Sequence, residues 1–343
     1  MKSGIIGLPQ SGRTTIFEAL TGARSEESLK GSRKDQRIST VRVMDERIDF
    51  LSRMYKPKKT TRAQVEYLLP SEVLSGSESV VWNQVRICDA LIHVVRNFPD
   101  ASEAQPQSED DFRRLDEDMI LNDLIVAEKK IERIKLDLKR GKKPNDDEHF
   151  LIKSCRELLE GGKPLRERPE LASAPALKGF TFLSAKPQLV IINNGDDDES
   201  LPEWKSELEN IEILAVRGRL EMEIASMSDK EAEEFLVEYN IEKSALDRLI
   251  KSSYKILNLI SFFTVGEDEV KAWTISRGTP ALVAAGEVHS DIQKGFIRAE
   301  LLSFDDLQEY GSFKEAKSAG RVRLEGKEYI VQDGDIINFR FNI

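Results

Sequence analysis

Gly7 and Gly12 bracket the four residues Leu8-Pro9-Gln10-Ser11, and Arg13-Thr14-Thr15 follow at once. Glycines at that spacing let a backbone turn its N–H groups inward around phosphate oxygens. A helix opening at Arg13 would add the positive end of its dipole. Loops of this pattern normally carry a lysine that reaches the β- and γ-phosphates, followed by a hydroxyl that sits on Mg²⁺. Here Arg13 holds the lysine's position and Thr14 supplies the hydroxyl. The charge is kept, but a planar guanidinium with five donors is not shaped like a compact ammonium. The implied chemistry is the binding of a nucleoside triphosphate with its metal.

Such a loop works between a buried strand and a helix. Gly4-Ile5-Ile6-Gly7 reads as the strand, and a helix runs from Arg13 through Phe17 and Leu20. Residues 25–37 are polar without periodicity and read as a mobile loop. Val41-Arg42-Val43 alternates like a strand, and Asp45 can cap a helix carrying Ile48, Leu51 and Met54. Val65 to Leu69 is a further strand, closed by Pro70. Helical spacing of Val81, Val85 and Cys88 leads into the apolar run Ala90-Leu91-Ile92-His93-Val94-Val95. Leu189 to Ile192 and Ile211 to Val216 extend the alternation. Strands and helices taking turns in this way predict an α/β fold with a mainly parallel sheet covered on both faces.

Two departures from that texture stand out. Residues 99–118 are acidic and polar, with Ser108-Glu109-Asp110-Asp111 read as a solvated stretch. Ile120, Leu124, Ala127, Ile131, Ile134 and Leu138 then recur at alternating steps of four and three, a heptad-like stripe. Gly141-Lys142-Lys143-Pro144 breaks it, and a second helix with Phe150, Leu151, Cys155, Leu158 and Leu159 returns antiparallel. The pair makes an inserted helical arm, readable as a docking element or as a plain solvated hairpin. Helices fill 229–238 and 242–257. From Phe262 short β-like runs follow at 272–274, 295–298, 328–331 and 336–339, which suit a small β-grasp-like sheet.

A chain of 343 residues suits two or three domains, and 40% hydrophobic content is enough to fill their cores. A net charge of −10 excludes a general affinity for polyanions, so any nucleic-acid contact needs a local basic patch. Arg53, Lys56, Lys58, Lys59 and Arg62, with Tyr55 and Pro57 among them, form the densest basic segment and a candidate contact for RNA phosphates. Residues 260–343 carry 10 Lys+Arg against 14 Asp+Glu, a balance of 10 − 14 = −4. Cys88 and Cys155 lack metal-ligand spacing and read as small semi-buried side chains in a reducing compartment. No stretch reaches the ~20 apolar residues of a membrane span. The N-terminus lacks a signal-peptide profile. The expectation is a cytoplasmic protein with no membrane partner and no indicated DNA partner. His93, inside an apolar run, reads as a core residue, and His289 as structural.

The C-terminal third carries a specific resemblance. Phe262-Phe263-Thr264-Val265-Gly266, Glu269 to Thr274, Ala284 to Asp291, Lys294 to Glu300 and Leu324 to Asp335 together resemble the YchF/Obg-like ATPase family. Gly4 to Pro9 and Ala90 to Arg96 extend the likeness over nearly the whole chain. The resemblance implies a P-loop G-domain (1–110 and 178–258), an inserted coiled-coil arm (111–177) and a C-terminal TGS-like domain (259–343) associated with RNA or ribosome contact. It also implies a base-reading Asn-x-x-Glu element, met here by Asn193-Asn194-Gly195-Asp196, and a base-packing loop at Leu220. Aspartate for glutamate leaves ATP and GTP both open. The nucleotide-binding set is then Gly7, Pro9, Gln10, Ser11, Gly12, Arg13, Thr14, Thr15, Asn193, Asp196 and Leu220, with Thr14 on Mg²⁺.

Other family elements are missing. The Asp-x-x-Gly switch should follow the strand at Tyr67-Leu68, where Leu69-Pro70-Ser71-Glu72 stands, and the glycine-rich stretch after it is reduced to Ser75-Gly76-Ser77. The metal-binding threonine of the first switch falls near Gln36, with Thr40 close by in sequence. The family's hydrolysis-linked histidine precedes the arm, and no histidine occurs between His93 and His149. The resulting expectation is a purine-nucleotide-binding, ribosome-associated protein with weak or absent hydrolysis and no assigned catalytic residue. The alternative is a nucleotide-free scaffold or RNA-binding module using the TGS-like domain.

Overall fold

The computed structural model describes residues 1–22, 36–71, 78–100, 102–143, 145–204, 211–238 and 244–342. Most of the loop expected over 25–37, and Glu72, Ser75-Gly76-Ser77, Pro144 and the start of the helix expected at 242, lie outside the described residues. The strands are β1 (Lys2–Ile6), β2 (Arg37–Arg42), β3 (Lys59–Thr61), β4 (Gln64–Leu69), β5 (Ala90–Asn97) and β6 (Gln188–Asn194). They continue with β7 (Glu212–Val216), β8 (Leu259–Val265), β9 (Glu269–Ser276), β10 (Phe296–Ser303), β11 (Arg323–Glu325) and β12 (Asp335–Phe341). The first five helices are α1 (Arg13–Thr21), α2 (Glu46–Tyr55), α3 (Glu78–Val85), α4 (Ser108–Lys139) and α5 (Asp146–Glu160). Contacts divide the chain into two compact units, Met1–Val41 with Glu66–Ser253, and Arg42–Val65 with Tyr254–Ile343.

In the first unit the sheet order is β2-β4-β1-β5-β6-β7, and every neighbour pair from β4 to β7 is parallel. Side chains of β6 are buried along its whole length, as are all but the last two of β5. That is why these strands read as continuous apolar runs. The arm emerges between β5 and β6. Ile120, Ala127, Ile131 and Ile134 of α4 meet Ile152, Cys155 and Leu159 of α5, and Asn145 caps α5 by accepting from the Glu148 N–H at 3.2 Å. The helix begins at Ser108 and so takes in the stretch expected to be solvated at 108–111. Glu109, Asp110 and Asp111 form its first turn, where carboxylates favour the positive end of the helix dipole. Leu138, the last residue of the expected stripe, is exposed and stands outside the cluster that joins α4 to α5.

One buried acid pins the arm's base. The Asp123 carboxylate accepts from Leu183 N–H at 3.0 Å, Ser184 N–H at 2.7 Å, Ser184 Oγ at 2.8 Å and Arg86 Nη1 at 3.2 Å. Burial nevertheless raises its carboxyl above the ordinary range. Cys88 and Cys155 are both buried, and burial pushes each thiol up to about 11. Their structural reading stands.

In the second unit the sheet order is β11-β10-β12-β8-β9-β3. The β8–β9 and β10–β12 pairs are antiparallel, and β12 lies parallel to β8. This is a mixed β-grasp-like sheet whose core holds Phe262, Ile275, Ala284, Phe296, Leu301 and Phe339. The run at 328–331, expected as a strand, makes only an isolated bridge between Ile330 and Pro280.

The sequence reading put residues 42–65 in the first domain, whereas their contacts place them with this C-terminal sheet. β3 lies parallel to β9, pairing Lys59 with Glu269 and Thr61 with Lys271. α2, capped by Asp45, sends Arg47 over the Phe263 ring and onto the Asp333 carboxylate at 3.0 Å. Phe50 meets Phe304 edge-on. Two residues of the basic segment serve the same docking, Lys58 pairing with Asp268 at 2.8 Å and Lys59 with Glu269 at 3.4 Å, while Arg62 pairs with Asp49 inside the segment. Most of its charge is therefore neutralised within the unit.

Candidate nucleotide site

β1 lies inside the sheet between β4 and β5, all three parallel, so the loop after Ile6 leaves at the carboxyl edge of the strands. Ligands bind at that edge in open α/β sheets. Ser11 N–H donates to Leu8 O at 3.1 Å, and Ile16 N–H to Gly12 O at 2.9 Å, which closes the loop and starts α1. Gln10 and Gly12 both take positive φ, 66° and 87°. Alternation of that kind points successive N–H groups into one concavity.

The glycines are obligatory for steric reasons. A Cβ on Gly7 would lie 2.5 Å from the Val94 carbonyl oxygen, and one on Gly12 would lie 2.1 Å from Asn193 Nδ2. Arg13 leans back across the loop, and its Nη1 donates to Gly7 O at 3.4 Å. Thr14 and Thr15 occupy the first turn of α1, each half-buried. Ser11 Oγ is buried and has no hydrogen-bond partner among the described residues.

Asn193, at the end of β6, is buried and holds two loops together. Its Nδ2 donates to Ser11 O at 3.0 Å, and its Oδ1 accepts from Gly218 N–H at 3.0 Å. The amide thus ties the phosphate loop to the turn that opens the helix Gly218–Ser226. Sequence reading gave Asn193 to the base, and this clasp was not foreseen. Asp196 is exposed just beyond β6, 3.8 Å from Arg219. Because Arg219 belongs to the same turn as half-buried Leu220, the fold brings Asp196, Leu220 and the loop into one region.

The neighbouring strand end is different. Leu68 and Leu69, at the carboxyl end of β4, are 0% and 3% exposed. Leu68 packs with Ile6, Trp82 and Leu91. Ser71 is held by Gln84, whose Oε1 accepts from the Ser71 N–H at 2.9 Å. Apolar side chains therefore sit where a metal-supporting carboxylate was sought. Thr40 is no substitute. It lies inside β2, and the whole of β4 intervenes between β2 and β1. Among the described residues no group of three or more His, Cys, Asp or Glu side chains could hold a metal ion.

His93 faces the core, not the site. It is 1% exposed, 3.0 Å from Gln188 Nε2 through its Nδ1, and stacked on Phe112 at 5.1 Å. Burial, with Arg166 nearby, lowers its pKa to about 3, so it is neutral at physiological pH. His289 accepts from the Asp291 N–H and caps a short helix.

Residues 259–342 match the family profile YchF-GTPase_C, described as a protein of unknown function (DUF933). The chain is 35% identical over 364 residues to the Bacillus subtilis ribosome-binding ATPase YchF, covering 100% of both. It is 34% identical over 360 residues to the Escherichia coli O157:H7 protein of the same name, covering 100% of this chain and 99% of that one. Obg-like ATPase 1 of rice is 35% identical over 368 residues, with 92% of its length covered. Among solved structures, the Schizosaccharomyces pombe YchF GTPase superposes with a TM-score of 0.85 at 27% identity, covering 99% of this chain and 97% of that one.

Proposed function

The chain belongs to the YchF family of Obg-like ATPases, and on that premise we propose that it binds a purine nucleotide, ATP or GTP, and associates with the ribosome in the cytoplasm while hydrolysing the nucleotide slowly or not at all. The relatives' name, ribosome-binding ATPase, supports the nucleotide and ribosomal partners. The slow chemistry is argued from this chain's own residues. In this reading residues 1–110 and 178–258, less the 42–65 segment, form the nucleotide domain; 111–177 form the arm; 259–343 form a TGS-like domain.

The phosphates sit against the N–H groups of Pro9-to-Thr14 backbone that carry one, with Arg13 supplying the positive charge. Gly7 and Gly12 keep the loop shape, Gln10 and Ser11 line it, and Thr15 continues the first helical turn. Asn193 fixes the loop against the base pocket, Asp196 reads the base edge, and Leu220 packs beside it. Magnesium, when bound with the phosphates, neutralises their charge. Thr14 is the side chain that would hold it, a donor set suited to a metal brought in by the nucleotide. Phosphoryl transfer depends on positioned charge, and losing one such group typically costs ~10²–10³ in rate.

The observation carrying the proposal is buried Leu69 at the end of β4, beside a phosphate loop whose glycines admit no side chain. A nucleotide-free scaffold is the second reading, favoured by the Arg13 hydrogen bond to the loop's own Gly7 carbonyl. Ribosome co-sedimentation with ATP, GTP or neither, with phosphate release followed in the same tubes, tests the proposal. Nucleotide-dependent pelleting without release is the expected result. Sustained multiple turnovers would refute slow chemistry, and pelleting indifferent to nucleotide would favour the scaffold.

A further inference from the structure

Two basic runs in this chain meet different fates. In residues 53–62, Lys58, Lys59 and Arg62 each find a carboxylate within their own unit. In the distal half of α4, Lys130 pairs with Glu148 at 2.8 Å, and Lys142, beyond the helix, pairs with Asp137 at 3.3 Å. Lys129, Arg133 and Arg140 are exposed and make no ion pair among the described residues.

Their spacing puts them on one surface. Lys129, Arg133, Leu136 and Arg140 follow at steps of four, three and four, the interval that keeps helical residues on one face. That face lies opposite Ala127, Ile131 and Ile134, which are buried against α5. Leu136 is 52% exposed in the middle of the stripe. The stripe spans about 16 Å at 1.5 Å per residue. The adjoining row, Glu128, Glu132, Lys135 and Lys139, follows the same steps and is charge-balanced, and Lys143 lies beyond the helix, all of them exposed. A row of three unpaired cations on a chain of net charge −10 is a local departure from the protein's own field.

We propose that this face of α4 is a phosphate-contacting surface that seats an RNA backbone; as the RNA side of the ribosome association proposed above, it rests on that reading. Charge complementarity selects the occupant. Three cations spaced about 6 and 10.5 Å apart along one rigid helix face suit a polyanion, and with no aromatic side chain in the row the contact is to backbone, not to bases.

The test compares the full-length protein with its Lys129→Gln/Arg133→Gln/Arg140→Gln variant, using a labelled 20-base-pair RNA duplex titrated between 50 and 200 mM KCl. Three lost phosphate contacts should reduce the slope of log K against log salt by about 2 to 3, and weaken binding about tenfold or more at the lowest salt. Thermal melting and nucleotide titration of the variant should match the parent, since these side chains are exposed. A parent that ignores RNA, or a variant that keeps the parent's slope, would overturn the proposal. So would variant-sensitive binding to phosphatidylserine vesicles that exceeds binding to RNA. Ribosome co-sedimentation separates the two readings. If parent and variant pellet equally, the surface is wrong and the ribosomal reading survives. If neither pellets while duplex binding still depends on the three cations, the surface stands and the ribosomal reading falls.

Discussion

β1 and β4 are adjacent, parallel and in register, with Gly4 opposite Leu68, yet their carboxyl ends have gone different ways. After β1 the loop keeps everything that depends on backbone: two glycines without room for a side chain, two positive φ values, and an amide clasp from Asn193. After β4 the side chains are apolar and buried. A phosphate cradle is built from N–H groups, so it persists while its glycines do. The apparatus of hydrolysis is built from side chains and can be lost by single substitutions that leave the sheet intact. Burying Leu69 is itself worth about 1.5–3 kcal/mol to the fold.

The sharpest way to break this contrast is Leu69→Asp. A carboxylate placed without a partner in that buried position should cost about 3–5 kcal/mol, read as a lower urea midpoint. If Mg²⁺ and ATP restore the midpoint fully, the β4 end still has a metal site's geometry and the contrast fails. Gly12→Ala attacks the other side. Its Cβ meets Asn193 at a φ of 87°, so about 3 kcal/mol of stability and nearly all nucleotide affinity should go. Unchanged calorimetric binding would show that the loop does not hold phosphate.

A pH series checks the core beneath both strand ends. The His93 pKa is lowered from its ordinary 6.5 to about 3 in the folded protein. The unfolded chain therefore takes up a proton first, and stability present above pH 6.5 is lost as pH falls toward 3. Between pH 7.5 and pH 5 this loss is about 2 kcal/mol. Urea unfolding of His93→Gln should show a drop smaller by that amount, and an equal drop in parent and variant would remove His93 from the account. The smallest effect belongs to Arg13→Lys. With the cradle intact, an ammonium should raise nucleotide affinity about threefold to tenfold, within ~1.4 kcal/mol, and should not bring turnover.

Local patterns were legible in the sequence and distant pairings were not. Gly7 and Gly12 announced the loop because its shape depends on their own backbone. Ile120, Ala127, Ile131 and Ile134 announced the arm because a helix buries one stripe. The segment 42–65 showed its helix, through Asp45 and the spacing of Ile48 and Leu51, but not its destination. Its partners Asp268, Glu269 and Asp333 lie some 200 residues or more along the chain, beyond the reach of periodicity. For the same reason the basic run read only as an RNA contact, while Lys58 and Lys59 also pair with Asp268 and Glu269. Asp123 was not singled out, because its partners Arg86, Leu183 and Ser184 lie 37 to 61 residues away. The clasp made by Asn193 joins loops distant in sequence and needed the sheet order to be seen.

Calorimetric titration of the purified, nucleotide-stripped protein with ATP and GTP, each with and without Mg²⁺, tests the retained cradle most directly. Micromolar binding of at least one nucleotide, with only a modest gain from Mg²⁺ as befits a metal held by Thr14 alone, is the predicted result. No binding of either at millimolar concentration, or binding that vanishes without the metal, would contradict it.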